Sequence, residues 1–271
     1  MWRKLRDRAV LLTGASRGIG KNTAKLLAQR GARLMLTARS ADEIESLTES
    51  LRQQGAVAFT HAADLTDPAQ REAVVADAVE KLGGLDILIN NAGLASFGHF
   101  DTSTEAVLRQ LMEINFFVPA ELMRLCLPHL ARGRQPAIVN VSSICGKRGI
   151  PAWPEHCASK FALNGLTEAL RAEFARFDVA VLIVSPGVTR ADDLNRHLLR
   201  NEGRMNMNFA NAQPPEKVAR KIVRTLEWNW PDAISGWTAM WIARGERLCP
   251  WLLDWILERK VRQLYGSRMG S

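Results

Sequence analysis

The stretch TGASRGIG, residues 13 to 20, follows the apolar run AVLLT and precedes a segment with helical periodicity. Glycines at positions 14, 18 and 20 let the backbone approach a bound phosphate closely. The amide groups and dipole of the helix that follows attract negative charge. A glycine-rich loop is specific evidence only between a strand and a helix, which is where this one lies. The stretch therefore predicts the first unit of a dinucleotide-binding fold.

Five further compact apolar runs follow, at residues 33 to 38, 56 to 63, 85 to 90, 137 to 142 and 179 to 185. Charged segments with a helical period lie between them, and glycines at positions 31, 55, 83 and 84 occur where such helices end. This alternation predicts a Rossmann-type α/β fold, a doubly wound parallel sheet with helices on both faces. We expect a single domain over residues 1–271, with residues 214–271 as a tryptophan-rich C-terminal extension.

A long helical pattern runs from about Ser103 to Ala131 and contains Asn115 and Pro119. Proline has no backbone N–H and its ring clashes with the preceding turn. We therefore expect a local kink at Pro119.

Composition limits the classes of partner. The 271 residues are 47% hydrophobic and carry a net charge of +8, but the basic residues are dispersed, so nucleic acid is not predicted as a partner. The basic N-terminus leads directly into the first strand, without the apolar segment of a signal peptide, which favours the cytoplasm. The four cysteines have no metal-ligand spacing, and no metal site is predicted.

The end of the second predicted strand indicates the cofactor. An acidic residue there would bind a ribose 2′-hydroxyl and select NAD, whereas arginine accommodates a 2′-phosphate. The chain reads TARS, with Arg39 and Ser40, and Arg17 in the glycine loop offers a second positive charge. We therefore predict NADP(H) as the cofactor.

The order of motifs resembles the short-chain dehydrogenase/reductase (SDR) family over residues from about 8 to 190. The matching motifs are TGASRGIG, Asp64-Leu65, NNAG at residues 90 to 93, Asn115, VSS at 141 to 143, ASK ending at Lys160, and SPGVT at 185 to 189. Seven motifs in the correct order make the resemblance specific.

The resemblance implies cofactor contacts along the chain. Asp64 and Leu65 resemble the adenine contacts, and Asn91, Ala92 and Gly93 the backbone wall beside the ribose. The remaining implied contacts are Gly14, Ser16, Arg17, Gly18, Ile19 and Gly20 in the loop, Arg39 and Ser40 after the second strand, Lys160, and Pro186, Gly187, Val188 and Thr189 along the nicotinamide. The family often has a threonine where this chain has Ala191; Thr189 is the candidate to replace it.

The resemblance also implies four catalytic residues. Ser143 resembles the residue that hydrogen-bonds the substrate carbonyl, Lys160 the lysine that binds the nicotinamide ribose, and Asn115 the residue that holds a relay water. The fourth is a tyrosine thirteen residues after the serine and four before the lysine. His156 occupies that position, and Tyr265 is the only tyrosine in the chain.

Three interpretations of His156 stay open. Imidazole is a competent acid or base near neutral pH, but its nitrogen lies closer to the backbone than a tyrosine hydroxyl. His156 is then the acid or base of carbonyl–alcohol interconversion, or the catalyst of a different reaction such as proton transfer, dehydration or cyclisation, or a residue of a non-catalytic dinucleotide-binding protein. His61, His99, His129 and His197 are expected at the surface or in packing, and adjacent Cys157 is not expected to pair with His156.

Six of the eight tryptophans follow residue 227, mixed with leucines and arginines. The family resemblance implies that this end helps to shape a pocket for a large hydrophobic substrate. The residues themselves predict a peripheral membrane contact, a subunit interface in a homo-oligomer, or ordinary packing.

Overall fold

A computed structural model of the chain describes residues 2–190, 198–202 and 212–265, with side chains to residue 263. Its centre is a parallel sheet of seven strands in the order β3-β2-β1-β4-β6-β7-β9. The seven strands are β1 (Ala9–Thr13), β2 (Arg33–Ala38), β3 (Ala58–Ala62), β4 (Ile87–Asn90), β6 (Ala137–Val141), β7 (Ala180–Pro186) and β9 (Asp232–Ser235). Two apolar clusters cover its opposite faces, so the predicted doubly wound α/β architecture is confirmed.

The six predicted strands all occur, with ends within two residues of those expected. They are recognisable because strands buried on both faces are almost continuously apolar. The short strand β9, of sequence DAIS, was not predicted, and neither was the pair β5 (Ala95–Phe97) and β8 (Leu198–Asn201), which forms a separate small sheet. These three strands have four residues or fewer and no apolar run.

Helices connect the strands of the main sheet. The first six are α1 (Gly18–Gln29), α2 (Ala41–Gln53), α3 (Pro68–Leu82), α4 (Glu105–Met112), α5 (Val118–Leu130) and α6 (Pro154–Glu173). After the segments outside the described residues come α7 (Pro215–Trp228), α8 (Trp237–Leu248) and α9 (Pro250–Tyr265). Gly31, Gly55 and Gly83 have positive φ angles just after α1, α2 and α3, as the sequence predicts. Within the described residues, no helix has the length and apolar character needed to cross a bilayer.

The predicted kink at Pro119 is wrong in position. The irregularity is a π-helical turn, Glu113–Phe117, between α4 and α5, and Pro119 lies in the first turn of α5. A proline ring clashes with the carbonyl four residues earlier, which here belongs to Asn115. The helix therefore widens around Asn115, and such π turns frequently mark functional sites.

Candidate active site

The glycine loop joins β1 to α1 in a close-packed turn. A Cβ on Gly14, which has a φ of +63°, would lie 2.8 Å from the Ala92 Cα, and one on Gly20 would lie 2.0 Å from the Gly14 carbonyl oxygen. Gly18 also has a positive φ, and a Cβ there would meet open space. Arg17 caps α1 without a side-chain hydrogen bond, so the first amides of α1 have no side-chain acceptor from the cap. The loop therefore has the shape and polarity of an anion site.

Thr13 and Asn91 fasten this loop to the end of β4. The Thr13 hydroxyl accepts the amides of Asn91 and Ala92, each at 3.0 Å. The Asn91 side-chain amide donates to the carbonyl oxygens of Thr13 and Gly14, each at 3.0 Å. The side chains of Thr13 and Asn91 thus both stabilise the loop. The sequence did not indicate this role for Thr13.

Arg17 and Arg39 lie at the ends of neighbouring elements and are both exposed. Among the described residues, neither guanidinium has a hydrogen-bond or ion-pair partner. Ser40 caps α2, also without a side-chain hydrogen bond. Within the described part of the chain, both guanidinium groups are thus available to an added anion.

Asp64 and Leu65 follow β3 at the next strand end. The Asp64 carboxylate accepts hydrogen bonds from the Thr66 amide at 3.0 Å and the Thr66 hydroxyl at 2.9 Å. Leu65 is buried, and its carbonyl oxygen accepts from Arg71 at 2.7 Å. Both residues are held in fixed positions at the same edge of the sheet as the glycine loop.

Ser143 follows β6 and begins a short 3₁₀ turn, Ile144–Gly146. Its hydroxyl oxygen accepts the Cys145 amide at 3.1 Å, and the residue is half-buried. The hydroxyl hydrogen is not used in that bond, so Ser143 can donate it to a ligand oxygen.

His156 lies in the first turns of α6, which begins at Pro154. Its Nδ1 is 3.2 Å from the carbonyl oxygen of Leu94, and because a carbonyl can only accept, Nδ1 carries the proton. Burial, with the Lys160 charge as a second cause, lowers the pKa of His156 to about 3. The imidazole is therefore neutral at physiological pH, with its Nε2 lone pair unprotonated.

Lys160 lies one helical turn after His156 and is also buried. Its Nζ donates to the Val141 carbonyl oxygen at 3.1 Å. Burial lowers the pKa of the Lys160 ammonium to about 8. A Cβ on Gly93 would lie 3.5 Å from the Lys160 Nζ and 3.0 Å from the Asn115 Oδ1, so Gly93 leaves the space that these polar groups occupy.

Asn115, on the π turn, binds the segment that follows NNAG. Its Oδ1 accepts the Leu94 amide at 3.0 Å, and its Nδ2 donates to the Leu94 carbonyl at 2.9 Å and to the Ser159 hydroxyl at 2.9 Å. The Leu94 carbonyl therefore accepts from both Asn115 and His156. Leu94 and Ser159 complete the site, and the sequence missed them because a backbone acceptor and a hydroxyl within a helix carry no motif signal.

The SPGVT segment continues from β7 along the last strand. The Gly187 amide donates to the Ser235 carbonyl at 2.8 Å, and a Cβ on Gly187 would lie 2.9 Å from the Ala239 Cβ. Thr189 donates its hydroxyl to the Gly187 carbonyl at 2.9 Å. Pro186 ends β7, and Val188 is exposed. Ala191 and His197 lie outside the described residues.

An ion pair joins α6 to β8. Arg200 Nη1 lies 3.5 Å from Glu155 Oε1, and both side chains are buried. Arg200 also contacts Glu202 at 2.7 Å and the Thr102 hydroxyl at 2.8 Å. This pair, which the sequence did not indicate, fixes the start of α6 directly before His156.

A cavity of about 650 Å³ lies between the start of α6 and helix α9. Arg148, Ile150, Pro154 and Cys157 line one side, and Leu257 and Val261 line the other. Ser143, His156 and Lys160 are not among its lining residues, so it is separate from the candidate catalytic group.

A family model described as short chain dehydrogenase matches residues 8–202. The chain belongs to the short chain dehydrogenase family of oxidoreductases.

Individual relatives cover most of the chain. An "Uncharacterized oxidoreductase YxnA" of Bacillus subtilis is 31% identical over 262 residues, covering 95% of this chain and 73% of that protein. "Dehydrogenase/reductase SDR family member 7B" of Mus musculus is 37% identical, covering 80% and 70% respectively. A short chain dehydrogenase/reductase from Burkholderia phymatum, solved in complex with NAD, matches with a TM-score of 0.82 at 21% identity over 93% of this chain and 96% of that one. At that identity, the similarity concerns the fold.

Proposed function

We propose that the protein is an NADP(H)-dependent oxidoreductase that interconverts a carbonyl and an alcohol on a hydrophobic substrate. The observation that carries the proposal is the group formed by His156, Lys160, Asn115 and Gly93, with Ser143 two residues after Val141, whose carbonyl binds Lys160. Family membership supports the same class of reaction.

The glycine loop fits the pyrophosphate of a nicotinamide dinucleotide, since Gly18 faces open space and the start of α1 lacks a side-chain cap. The NAD complex of the Burkholderia phymatum neighbour supports this class of cofactor. When bound, such a cofactor would supply or accept a hydride. In the proposal, Lys160 holds its ribose, and the Pro186–Thr189 segment lines its nicotinamide end.

Selection of NADP(H) rests on Arg17 and Arg39. Both are exposed and lack partners among the described residues, and TARS provides no carboxylate for a 2′-hydroxyl. A 2′-phosphate would give each guanidinium a charge-assisted partner.

His156 stands where the SDR resemblance places a tyrosine, thirteen residues after Ser143 and four before Lys160. Because Nδ1 is used by Leu94 and the ring is neutral, Nε2 acts as a proton acceptor. The proposal therefore gives His156 the role of a base, directly or through a water, toward a hydroxyl that Ser143 orients. The lowered pKa makes His156 a weak base, but the neutral ring has no proton on Nε2 to donate, so this protonation state fits alcohol oxidation better than carbonyl reduction.

A second candidate function is proton transfer without hydride transfer. It is favoured by two observations, an unprotonated Nε2 on His156 and a Ser143 hydroxyl whose hydrogen is free to polarise a carbonyl. In that reaction, His156 would remove a proton next to the carbonyl. A non-catalytic dinucleotide-binding role is the third possibility, and it predicts that His156 can be replaced without effect.

The hydrophobic character of the substrate is supported by aromatic rings beside His156. The Trp153 ring lies 5.7 Å from the imidazole, centroid to centroid, and 5.1 Å from Phe97. These rings give one side of the candidate site an apolar wall.

Product analysis tests the proposal. The protein would be incubated with NADP⁺ or NADPH and a panel of hydrophobic alcohols and ketones, while absorbance and products are followed. Cofactor-coupled conversion supports the proposal. Conversion or isotope exchange without a change in cofactor supports the second candidate.

A homo-oligomer is part of the proposal. Phe117 on the π turn and Phe161 on α6 are 49% and 45% exposed, and these two elements pack against each other. Two exposed rings on adjoining elements suit a subunit interface. Phe161→Glu should lower the mass measured by analytical ultracentrifugation, whereas Phe100→Glu, at an exposed ring on another element, should leave it unchanged.

A further inference from the structure

Helices α8 and α9 expose a set of large apolar side chains. Trp237, Trp241, Leu248, Trp251 and Trp255 are 66%, 55%, 77%, 69% and 55% exposed. The Trp237 and Trp241 rings lie 5.7 Å apart, centroid to centroid, and large exposed apolar surface marks an interaction site in soluble proteins. Ordinary packing, one of the interpretations of the sequence, is therefore wrong for these five residues.

The exposed residues have helical spacing. On α8, residues 237, 241, 244 and 248 fall on one face, and on α9 residues 251, 255 and 259 do so. The two helices are separated by Cys249 alone. They pack closely, because a Cβ on Gly245 would lie 3.2 Å from Leu253. We call α8 and α9 together the C-terminal helix pair.

Cations accompany the tryptophans. The Arg244 guanidinium lies 5.9 Å from the Trp241 ring centroid, and that of Arg259 lies 5.3 Å from the Trp255 centroid. The five basic residues of the helix pair, all exposed, are Arg244, Arg247, Arg259, Lys260 and Arg262. The surface is thus both aromatic and positively charged.

Two of the three acidic residues of the helix pair form ion pairs outside it. Glu246 and Asp254 both bind the guanidinium of Arg148, a mostly buried residue of the main domain. The third acidic residue, Glu258, lies 3.4 Å from Arg262. The contacts with Arg148 anchor the helix pair and leave the positive charge of the exposed face largely uncompensated.

We propose that the C-terminal helix pair binds the surface of an anionic lipid bilayer, with its tryptophans and Leu248 at the boundary between headgroups and acyl chains. Tryptophan suits that boundary because it combines a large apolar ring with one hydrogen-bond donor. Exposed arginines and lysines beside it match the negative surface potential of anionic membranes.

Charge favours a bilayer over a second copy of the chain. A two-fold interface brings the same patch of each subunit together, so cations of this face would meet cations of the same face. An anionic headgroup layer instead offers each cation a partner.

The position of the pair links the membrane to the candidate active site. Helix α8 starts directly after β9, at the carboxyl edge of the parallel sheet, where the Ser235 carbonyl binds Gly187. Trp228 and Trp230, stacked on each other, lie before β9 and hence at the opposite edge. Membrane binding would therefore bring the carboxyl edge, not the opposite one, toward a bilayer that dissolves hydrophobic substrates.

Co-sedimentation of the full chain with vesicles tests the proposal. We expect binding to phosphatidylcholine vesicles that contain phosphatidylserine and much weaker binding to phosphatidylcholine alone. Trp241→Ala with Trp255→Ala should weaken binding roughly tenfold per ring removed. Arg244→Gln with Arg259→Gln should weaken it on the order of fivefold per charge, and only with the anionic vesicles.

Trp228→Ala is the matched control, because Trp228 is 57% exposed but lies outside the helix pair. Its binding should equal that of the unchanged protein. The proposal is overturned if the unchanged protein ignores anionic vesicles, or if Trp228→Ala weakens binding as much as the paired variants. It is also overturned if Trp241→Ala lowers the oligomer mass without changing vesicle binding, since the face would then be a subunit interface.

Vesicles with brominated acyl chains give a second measurement that needs no variant. Bromine quenches indole fluorescence only at short range, so tryptophans at the acyl boundary should be quenched when anionic lipid is present. Binding without quenching would overturn the placement of the tryptophans at the acyl boundary, because the cations alone would then contact the headgroups. Neither measurement requires cofactor or turnover, so its outcome is independent of the proposed reaction.

Discussion

The Nδ1 atom of His156 donates a hydrogen bond of 3.2 Å to the carbonyl oxygen of Leu94. The same carbonyl accepts the Asn115 side chain at 2.9 Å, so one backbone atom fixes both side chains. This contact determines which imidazole nitrogen carries the proton, and with it the chemistry that His156 can perform. A tyrosine has no ring nitrogen that could donate this hydrogen bond, and its hydroxyl would extend farther into the site.

The free energy of unfolding should decrease as the pH is lowered, because His156 is held neutral in the folded protein. Its pKa falls from an ordinary 6.5 to about 3 in the folded chain. The unfolded chain therefore binds more protons between those values, so stability is complete above pH 6.5 and is lost as pH falls toward 3. We expect about 2 to 3 kcal/mol of this loss between pH 7 and pH 4.5.

Urea denaturation at several pH values measures this effect. His156→Gln keeps a donor for Leu94 but cannot titrate, so its stability should depend less on pH over the same range. Equal pH dependence in the two proteins would show that His156 is not held neutral by the fold.

NADPH should bind more tightly than NADH because Arg17 and Arg39 are both exposed and unpaired within the described residues. Arg39→Asp should reverse or erase this preference, since a carboxylate repels a 2′-phosphate and can bind a 2′-hydroxyl. Fluorescence titration of both cofactors gives the ratio. Arg220→Asp, at an exposed arginine of α7, is a charge-matched control. Equal affinities in the unchanged protein would contradict the assignment of NADP(H).

Loss of Arg200 should destabilise the fold by about 3 to 5 kcal/mol, because it leaves the Glu155 carboxylate buried without its cation. Glu202→Gln removes the exposed partner of the same arginine and should cost less than about 1 kcal/mol. Urea melts at neutral pH compare Arg200→Met, Glu202→Gln and the double variant Glu155→Gln/Arg200→Met. The double variant should recover part of the stability that Arg200→Met loses. If Arg200→Met instead lowers the free energy of unfolding by less than Glu202→Gln does, the Glu155–Arg200 pair has no structural role.

Sequence and structure agree best where local chemistry determines the outcome. Buried runs such as RLMLTA predict a strand with its correct ends, and glycines after α1 and α2 end those helices. Strand β9 was not predicted because its four residues include an aspartate and no apolar run. It forms by pairing with β7. The position of the π turn was not predicted because the ring of Pro119 clashes with a carbonyl four residues earlier, at Asn115.

The candidate site divides in the same way. Side chains with fixed spacing, such as Ser143, His156 and Lys160, can be named from the sequence. The Leu94 carbonyl and the Glu155–Arg200 pair cannot, because a backbone acceptor has no residue identity and a pair separated by 45 positions needs the fold to bring it together.

His156→Tyr is the substitution that tests what the site is built for. A phenol reaches farther than imidazole, and the nearby Lys160 ammonium stabilises its anion. If the native reaction is hydride transfer limited by a weak base, cofactor-coupled turnover should rise in this variant, by the roughly 10²- to 10⁴-fold that a positioned acid or base supplies. If His156 instead serves a different reaction, the variant should lose the native conversion while gaining simple reductase activity. NADPH consumption and product analysis over hydrophobic ketones, with His156→Ala as the baseline, separate these outcomes. Identical behaviour of the unchanged protein and His156→Ala in every conversion would remove His156 from the chemistry and leave a dinucleotide-binding protein.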